Sequence, residues 1–223
     1  MVTGEQLLEV FAAYNPKIMP MQFFAYLLGA VAIFLSFRRT GISARGIPSI
    51  LAFFWLWVAL IFWLPNVLQG FTPGIIFMAV FLVQGVLLVI FAIKPRLQFG
   101  AKSNLTTWIG WAVLLYAMVG YPLVGILVGH VYPRMPPFGL TPCPVVTFTF
   151  GLLLLTDSRI PKGLLVLPFL YSLTGLVWIS IGIWEDIGMV ISGILGMVLI
   201  LVRDARRPMV PDEKTTSNPM EGG

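Results

Sequence analysis

The residues with the most reactive side chains lie around one proline-rich stretch, residues 130–144. His130 is the only histidine of the 223 residues, and Cys143 is the only cysteine. The motif Thr141-Pro142-Cys143-Pro144 is typical of a helix start, with Thr141 as N-cap and the cysteine in the first turn. The positive end of the helix dipole there favours a thiolate.

A thiolate beside an imidazole suggests two kinds of chemistry. His130 and Cys143 together predict a soft site for Cu(I) or another thiophilic metal ion, or a reactive thiol assisted by the imidazole. A structural role is the third interpretation, because a lone cysteine is usually packed in a core. Two soft ligands are too few for a closed zinc site. No cofactor is required by the sequence, and a soft metal ion is the one it suggests.

Five further side chains are candidates for ligand binding. Tyr132 and Arg134 belong to the same loop, and Glu185 and Asp186 occupy a short turn on the same predicted face. The acidic pair is either a solvated turn or part of the same pocket. Gln84 lies in the middle of a predicted span, where it forms an interhelical hydrogen bond or lines a substrate path.

The composition places these residues in a helical membrane protein. The chain is 58% hydrophobic and only 10% charged, and its mean hydropathy is +0.94, whereas soluble domains are about a quarter charged. Long apolar runs with few charges are typical of polytopic membrane proteins, so the lipid bilayer is the expected partner. The basic residues lie in short loops, which indicates a role in topology and not nucleic-acid binding.

We predict an all-α fold with seven transmembrane spans. They cover residues 20–37, 47–64, 74–93, 105–129, 143–158, 163–183 and 187–202. The loops after the odd-numbered spans carry every lysine and arginine except Lys17 and Arg134. The positive-inside rule therefore predicts an outside amino terminus and a cytoplasmic carboxyl terminus. Span 143–158 is the shortest apolar run, and a re-entrant segment there is the alternative.

The two ends of the chain differ from this seven-span domain, residues 20–207. Residues 1–19 predict an outer amphipathic helix with a capping box between Thr3 and Gln6, a staple from Val2 to Leu7, and an end at Asn15-Pro16. This helix either lies on the membrane surface or packs on the bundle. Residues 208–223 lack apolar periodicity and predict a disordered cytoplasmic tail.

Aromatic and small residues add two structural expectations. Aromatic side chains near the ends of the spans predict a belt at the membrane interfaces, formed by Trp63, Trp108, Tyr121, Tyr132 and Trp184. Gly188, Ser192 and Gly196 form a small-residue stripe, which predicts close helix packing. No Asp, Glu, Lys, Arg or His lies in the middle of a span, which argues against a proton-driven pump.

Several patches of the sequence resemble a family of uncharacterised bacterial polytopic membrane proteins, a domain of unknown function. The patches near the amino terminus are Glu5-Gln6, Val10-Phe11, Tyr14-Asn15 and Pro20-x-Gln22. The central ones are Tyr132-Pro133, Phe138-Gly139, Pro142-Cys143-Pro144 and the run from Phe148 to Leu155. Family members often carry Trp where this chain has Met19. The resemblance covers the full length and implies a multi-pass protein of the bacterial cytoplasmic membrane, without an activity.

Three functions fit these observations. The first is a small transporter or binding protein for a small or soft ligand, entered from the outer face beside His130 and Cys143. The second is a non-catalytic accessory subunit of a membrane complex, with a membrane-protein partner or a second copy of the chain bound through the small-residue stripes. The third, a membrane enzyme using the outer-face groups, lacks any catalytic motif, so an enzyme is the least favoured of the three.

Overall fold

The chain folds into a bundle of helices that follow its apolar segments. The computed structural model describes residues 3–100 and 104–206. Val2, Lys102 and the predicted tail 208–223 lie outside the described residues. In chain order the helices are α1 (Gly4–Tyr14), α2 (Met19–Ser36), α3 (Gly41–Trp57), α4 (Leu64–Leu68), α5 (Gly74–Ile93), α6 (Leu105–Leu115), α7 (Tyr121–Leu127), α8 (Pro142–Leu154), α9 (Lys162–Leu173), α10 (Gly175–Ser180) and α11 (Ile187–Ala205).

Six helical segments within the described residues are long and apolar enough to cross a membrane. They are Gly4–Ser36, Gly41–Leu68, Gly74–Ile93, Leu105–Leu127, Lys162–Ser180 and Trp184–Ala205. Two of them contain a π-helical turn, Val58–Trp63 between α3 and α4 and Tyr116–Gly120 between α6 and α7. The predicted fifth span corresponds to α8, which has only 13 residues. The chain is thus an all-helical protein with membrane-capable helices and one shorter apolar helix.

Helix α8 is the centre of the bundle. All 13 of its residues are buried, and it packs against α3, α6, α9 and α11. The Trp55 indole of α3 donates a 2.9 Å hydrogen bond to the Thr149 hydroxyl of α8. Because protein covers α8 on every side, its length is not fixed by contact with lipid.

One polar side chain replaces a hydrogen bond that a proline removes. Pro168 has no backbone N–H, so the Leu164 carbonyl one turn earlier loses its usual donor. Gln84 of α5 donates to this carbonyl at 3.0 Å. Gln84 therefore forms the interhelical hydrogen bond that was one of its two interpretations, and its Oε1 has no partner among the described residues.

The bundle has two chemically different ends. The cationic end comprises residues 37–40, 94–100, 155–161 and 203–206. There Arg39 lies 3.6 Å from Asp157, and Arg203 donates to the Thr156 carbonyl at 3.0 Å. The α1 end comprises residues 3–18, 66–73, 128–141 and 181–186, and there the Tyr14 hydroxyl donates to the Leu140 carbonyl at 2.9 Å. Helices α8 and α11 both begin at the α1 end and finish at the cationic end.

Helix α1 packs on the bundle at the α1 end. It begins with the predicted capping box, in which Thr3 accepts from the Gln6 backbone and Gln6 accepts from the Thr3 backbone. Its buried residues are Leu8 and Phe11, and the Phe11 ring stacks on Phe62 at 6.0 Å. Helix α1 ends at Tyr14 with Asn15 as its C-cap, as the Asn15-Pro16 pair predicted. A 3₁₀ turn over Asn15–Ile18 leads directly into α2, since proline fits the first turn of a helix.

Candidate functional site

Two adjacent carboxyl groups are buried where α11 begins. Glu185 is 0% exposed and Asp186 is 1% exposed, so the interpretation of this pair as a solvated turn was wrong. Asp186 is the N-cap residue of α11, where the helix dipole favours a negative charge. Burying carboxyl groups is unfavourable unless they are hydrogen-bonded, and both have partners.

Each carboxyl group has its own set of partners. Tyr121 donates its hydroxyl to Asp186 Oδ1, and the Cys143 thiol donates to Asp186 Oδ2 at 3.3 Å. His130 Nδ1 lies 3.0 Å and 3.1 Å from the two carboxylate oxygens of Glu185. We call these five residues, Tyr121, His130, Cys143, Glu185 and Asp186, the acid cluster.

The acid cluster contains both residues of the predicted soft-metal site, His130 and Cys143. His130 and Cys143 belong to the same cluster, but each is hydrogen-bonded to a different carboxyl group. Cys143 is buried, so its sulfur is not the exposed thiolate that the helix start suggested. Among the described residues no group of three or more His, Cys, Asp or Glu side chains has a metal-binding arrangement.

A close approach between helices holds the cluster in place. The Tyr116 hydroxyl donates to the Glu185 carbonyl at 2.7 Å. A Cβ at Gly188 would lie 1.8 Å from the Tyr116 ring, so only glycine allows this contact. The predicted stripe therefore serves packing within the bundle: at Gly196, likewise, a Cβ would lie 2.4 Å from the Phe150 ring.

The remaining loop candidates lie on the surface, and one of them, Arg134, attaches α1. Arg134 lies 2.5 Å from a Glu5 oxygen and 2.8 Å from a Glu9 oxygen. The hydrogen bond to Glu5 is the main cause that raises the pKa of Arg134 above its ordinary value. Tyr132 is 50% exposed and is not part of the acid cluster. Asn15 donates to the Pro133 and Met135 carbonyls at 2.6 and 2.7 Å, which fixes the loop to the base of α1.

A groove opens between α1 and the segment from Phe62 to Phe71. It has a volume of about 290 Å³, and we call it the α1 groove. Gln6, Leu7 and Val10 of α1 form one wall, and Phe62, Trp63, Asn66, Phe71 and Trp178 form the other. A wider depression of about 500 Å³ adjoins it, shares Gln6, Val10, Phe62 and Asn66, and includes Glu9 and Lys17.

Two tryptophans of the α1 groove have unpaired donors. Trp63 is 4% exposed and Trp178 is 8% exposed, and neither indole N–H has a hydrogen-bond partner among the described residues. Buried polar groups in proteins are almost always paired. Both nitrogens are enclosed by protein, so the two unpaired N–H groups lie inside the groove wall.

A small cavity separates the groove from the acid cluster. It has a volume of about 20 Å³ and is lined by Leu7 and Phe11 of α1, both groove tryptophans, Cys143 and Asp186. Its exposed wall is apolar. Cys143 and Asp186 thus lie beneath α1, and the α1 groove is the open part of this end.

The sequence analysis misplaced two of these residues, Trp63 and Tyr121, and did not identify a third, Trp178. Trp63 and Tyr121 were assigned to an interfacial belt, but Tyr121 is 1% exposed and binds Asp186. Trp178 was not singled out. A tryptophan near the end of a span has the same sequence signal whether it faces lipid or the interior. Trp184 and Trp108, by contrast, are exposed as a belt requires.

Comparisons with known proteins give one match. No curated protein matches the chain, and no solved structure does. The model of one family, described as "Family of unknown function (DUF6064)", matches residues 4–209. Because this match covers nearly the whole chain, including α1, the loop 128–141 and the acid cluster, the chain belongs to the DUF6064 family of unknown function.

Proposed function

We propose that this protein spans a bacterial cytoplasmic membrane seven times and binds a small organic ligand at its outer end, in the α1 groove. The observation that carries the binding proposal is the α1 groove itself, which has a volume of about 290 Å³ and is lined by aromatic, aliphatic and amide side chains. A transporter and a binding protein each need a ligand-binding site, so both functions fit the α1 groove.

The contacts at the two ends support seven crossings. Successive helices connect the α1 end and the cationic end in alternation, and α8 runs the same way as α11. At about 20 Å, α8 is shorter than a hydrocarbon core of about 30 Å. Protein surrounds α8 completely, and short or irregular segments are tolerated at membrane depth where protein covers them.

The charges support the orientation. Among the described residues, the α1 end carries only Lys17 and Arg134 as cations, together with four acidic residues, Glu5, Glu9, Glu185 and Asp186. The other nine described lysines and arginines lie at or near the cationic end. The positive-inside rule places that end in the cytoplasm.

An organic ligand is favoured over a metal ion. The two soft side chains, His130 and Cys143, already have carboxyl partners. The open groove instead offers aromatic and amide side chains, and pockets of this kind bind organic molecules. The accessory-subunit function loses its main support, since Gly188 and Gly196 contact neighbours inside the bundle.

The orientation is tested with two exposed positions at opposite ends. In a Cys143→Ser background, cysteines are introduced at Leu68, 78% exposed, and at Ile42, 73% exposed. We expect a membrane-impermeant maleimide to label Leu68→Cys on intact cells and Ile42→Cys only after lysis. The reverse order of labelling would show that the orientation is inverted.

The binding proposal is tested by filling the groove. Val10→Phe adds bulk to the groove wall, whereas Val31→Phe makes the same change on the outer surface of α2. Small molecules that co-purify with each protein are extracted and compared by mass spectrometry. We expect a species that is present with wild type and Val31→Phe and depleted with Val10→Phe. Identical extracts from all three proteins would count against a ligand in the groove.

A further inference from the structure

The cationic end carries a large excess of positive charge. Nine of the described lysines and arginines lie at or near it, against two described acidic residues, Asp157 and Asp204. Both acidic residues already have partners. Asp157 lies 3.6 Å from Arg39, and Asp204 accepts from the Ile160 backbone at 2.8 Å and from Arg203 at 2.9 Å. Most of the positive charge at this end is therefore not neutralised by the described part of the chain.

A cleft opens at this end between the start of α3 and the loop that follows α5. It has a volume of about 400 Å³, and we call it the arginine cleft. Its walls include Arg39, Gly41 and Ala44 on one side and Pro95 and Gln98 on the other. A Cβ at Gly41 would meet nothing within 4 Å, so the cleft is open at this point.

Arg39 is held in the wall of the arginine cleft with part of its guanidinium group free. Its Nε and Nη2 atoms donate to Gln98 Oε1, and its Nη1 atom faces Asp157. A guanidinium group has five N–H donors, so these contacts leave donors for a ligand. The Arg39 side chain is 62% exposed. Arg39 is therefore pre-positioned and accessible, and a guanidinium group binds phosphate oxygens in a bidentate manner.

Four further cations lie around the cleft. All are exposed, and none has an ion-pair partner within residues 3–100 and 104–206: Arg38, Arg45, Lys94 and Arg96. Arg45 lies one turn after Gly41 on the same face of α3. Helical side chains tilt toward the amino terminus of their helix, so Arg45 is directed toward the open part of the cleft. The arginine cleft therefore attracts an anion.

Exposed apolar side chains border the cleft on both sides. Ile42 follows Gly41 and is 73% exposed, and Ile93 precedes Lys94 and is 64% exposed. An anion with an attached hydrocarbon chain contacts the cations and these apolar side chains together, whereas a soluble anion contacts the cations alone. Basic pockets between transmembrane helices on the cytoplasmic side bind anionic lipid head groups. The neighbourhood of the cleft therefore favours a lipid.

We propose that the arginine cleft binds the head group of an anionic phospholipid, with its phosphate oxygens on Arg39 and Arg45 and its acyl chains beside Ile42 and Ile93. This site lies at the opposite end of the bundle from the α1 groove. It depends on the protein lying in a membrane and not on the ligand of the groove, so either proposal can fail without the other.

Two lipids with the same acyl chains test the charge preference. Dioleoyl phosphatidylglycerol has a negative head group, and dioleoyl phosphatidylcholine has no net charge. Each lipid is titrated into the full chain in a neutral detergent, and native mass spectrometry measures the bound fraction. We expect phosphatidylglycerol to bind roughly 30-fold more tightly, because two arginines near an anionic head group contribute about 1 kcal/mol each. Glycerol phosphate in large excess should not displace it.

Two pairs of variants assign the preference to the cleft. Arg45→Gln removes one cation and should lower the preference for phosphatidylglycerol roughly fivefold. Arg206→Gln removes the same charge at the same end but outside the cleft and should keep the full preference. Gly41→Leu fills the open part of the cleft and should weaken phosphatidylglycerol binding severalfold. Gly163→Leu is its matched control, because a Cβ at Gly163 likewise meets nothing within 4 Å, and should leave binding unchanged.

Three results would overturn the anionic-lipid inference. The first is equal binding of the two lipids, or binding that is unchanged in Arg45→Gln or in Gly41→Leu. The second is an equal loss in Arg45→Gln and Arg206→Gln, which would show that the whole charged end attracts the lipid and that the cleft does not bind it. The third is displacement of the lipid by glycerol phosphate or by an RNA oligonucleotide, which would indicate a soluble ligand.

Discussion

Gly188→Ala tests whether the start of α11 depends on the contact with Tyr116. The new Cβ would lie 1.8 Å from a Tyr116 ring atom, whereas ordinary van der Waals contact begins near 3.4 Å. The ring must therefore move by about 1.6 Å, which is the difference between these two distances. This movement breaks the 2.7 Å hydrogen bond to the Glu185 carbonyl. Overpacking costs about 1–3 kcal/mol and the hydrogen bond about 0.5–1.5 kcal/mol. The helix propensity of alanine offsets about 1 kcal/mol.

We therefore expect Gly188→Ala to lower the free energy of unfolding by about 0.5–3.5 kcal/mol. The assay is reversible unfolding of the purified protein in mixed micelles with a denaturing detergent. Gly163→Ala is the matched control, because a Cβ there meets nothing within 4 Å, and it should be neutral or slightly stabilising. A second comparison repeats Gly188→Ala in a Tyr116→Ala background, where the clash is absent. An unchanged cost in that background would refute the reasoning.

Two further predictions concern α1 and the interhelical polar contact. Arg134→Gln removes the ion pairs that attach α1, so maleimide should label the buried Cys143 severalfold faster than in wild type. Lys17→Gln, with the same loss of charge, is the control and should leave the labelling rate unchanged. Equal rates in all three proteins would show that α1 does not control access to Cys143. Gln84→Leu leaves the Leu164 carbonyl without its donor and should lower the free energy of unfolding by roughly 0.6–1.7 kcal/mol, measured in the same mixed micelles, and an unchanged stability would contradict the structural role of this bond.

Much of the helical architecture follows from local sequence. The run 74–93 coincides with α5 at both ends, because an uninterrupted apolar segment has only one stable backbone conformation in an apolar medium. The Thr3 and Gln6 capping box also forms as predicted, since both partners are within one turn. Helix α3 begins at Gly41, six residues before the predicted span, since Thr40 and Ser43 form a second capping box.

The candidate site was only partly predictable. The sequence grouped His130, Cys143, Glu185 and Asp186 on one face from loop positions and topology alone. It paired the two soft residues with each other, whereas the structure pairs each with a carboxyl group. The carboxyl partners lie 55 and 43 positions away along the chain. No local pattern encodes such a pairing.

The sequence by itself determined that this protein is helical and apolar, where most helices begin and end, and how its charges divide between the two ends. These properties depend on composition and on residues within one or two turns of each other. Only the tertiary structure decided that α8 is wholly buried, that Glu185 and Asp186 are inside, and that Trp63 and Trp178 share a groove with unpaired donors. In an apolar chain a residue that faces lipid and a residue that faces the core have the same hydrophobic signal, so the choice between them is made by packing among distant helices.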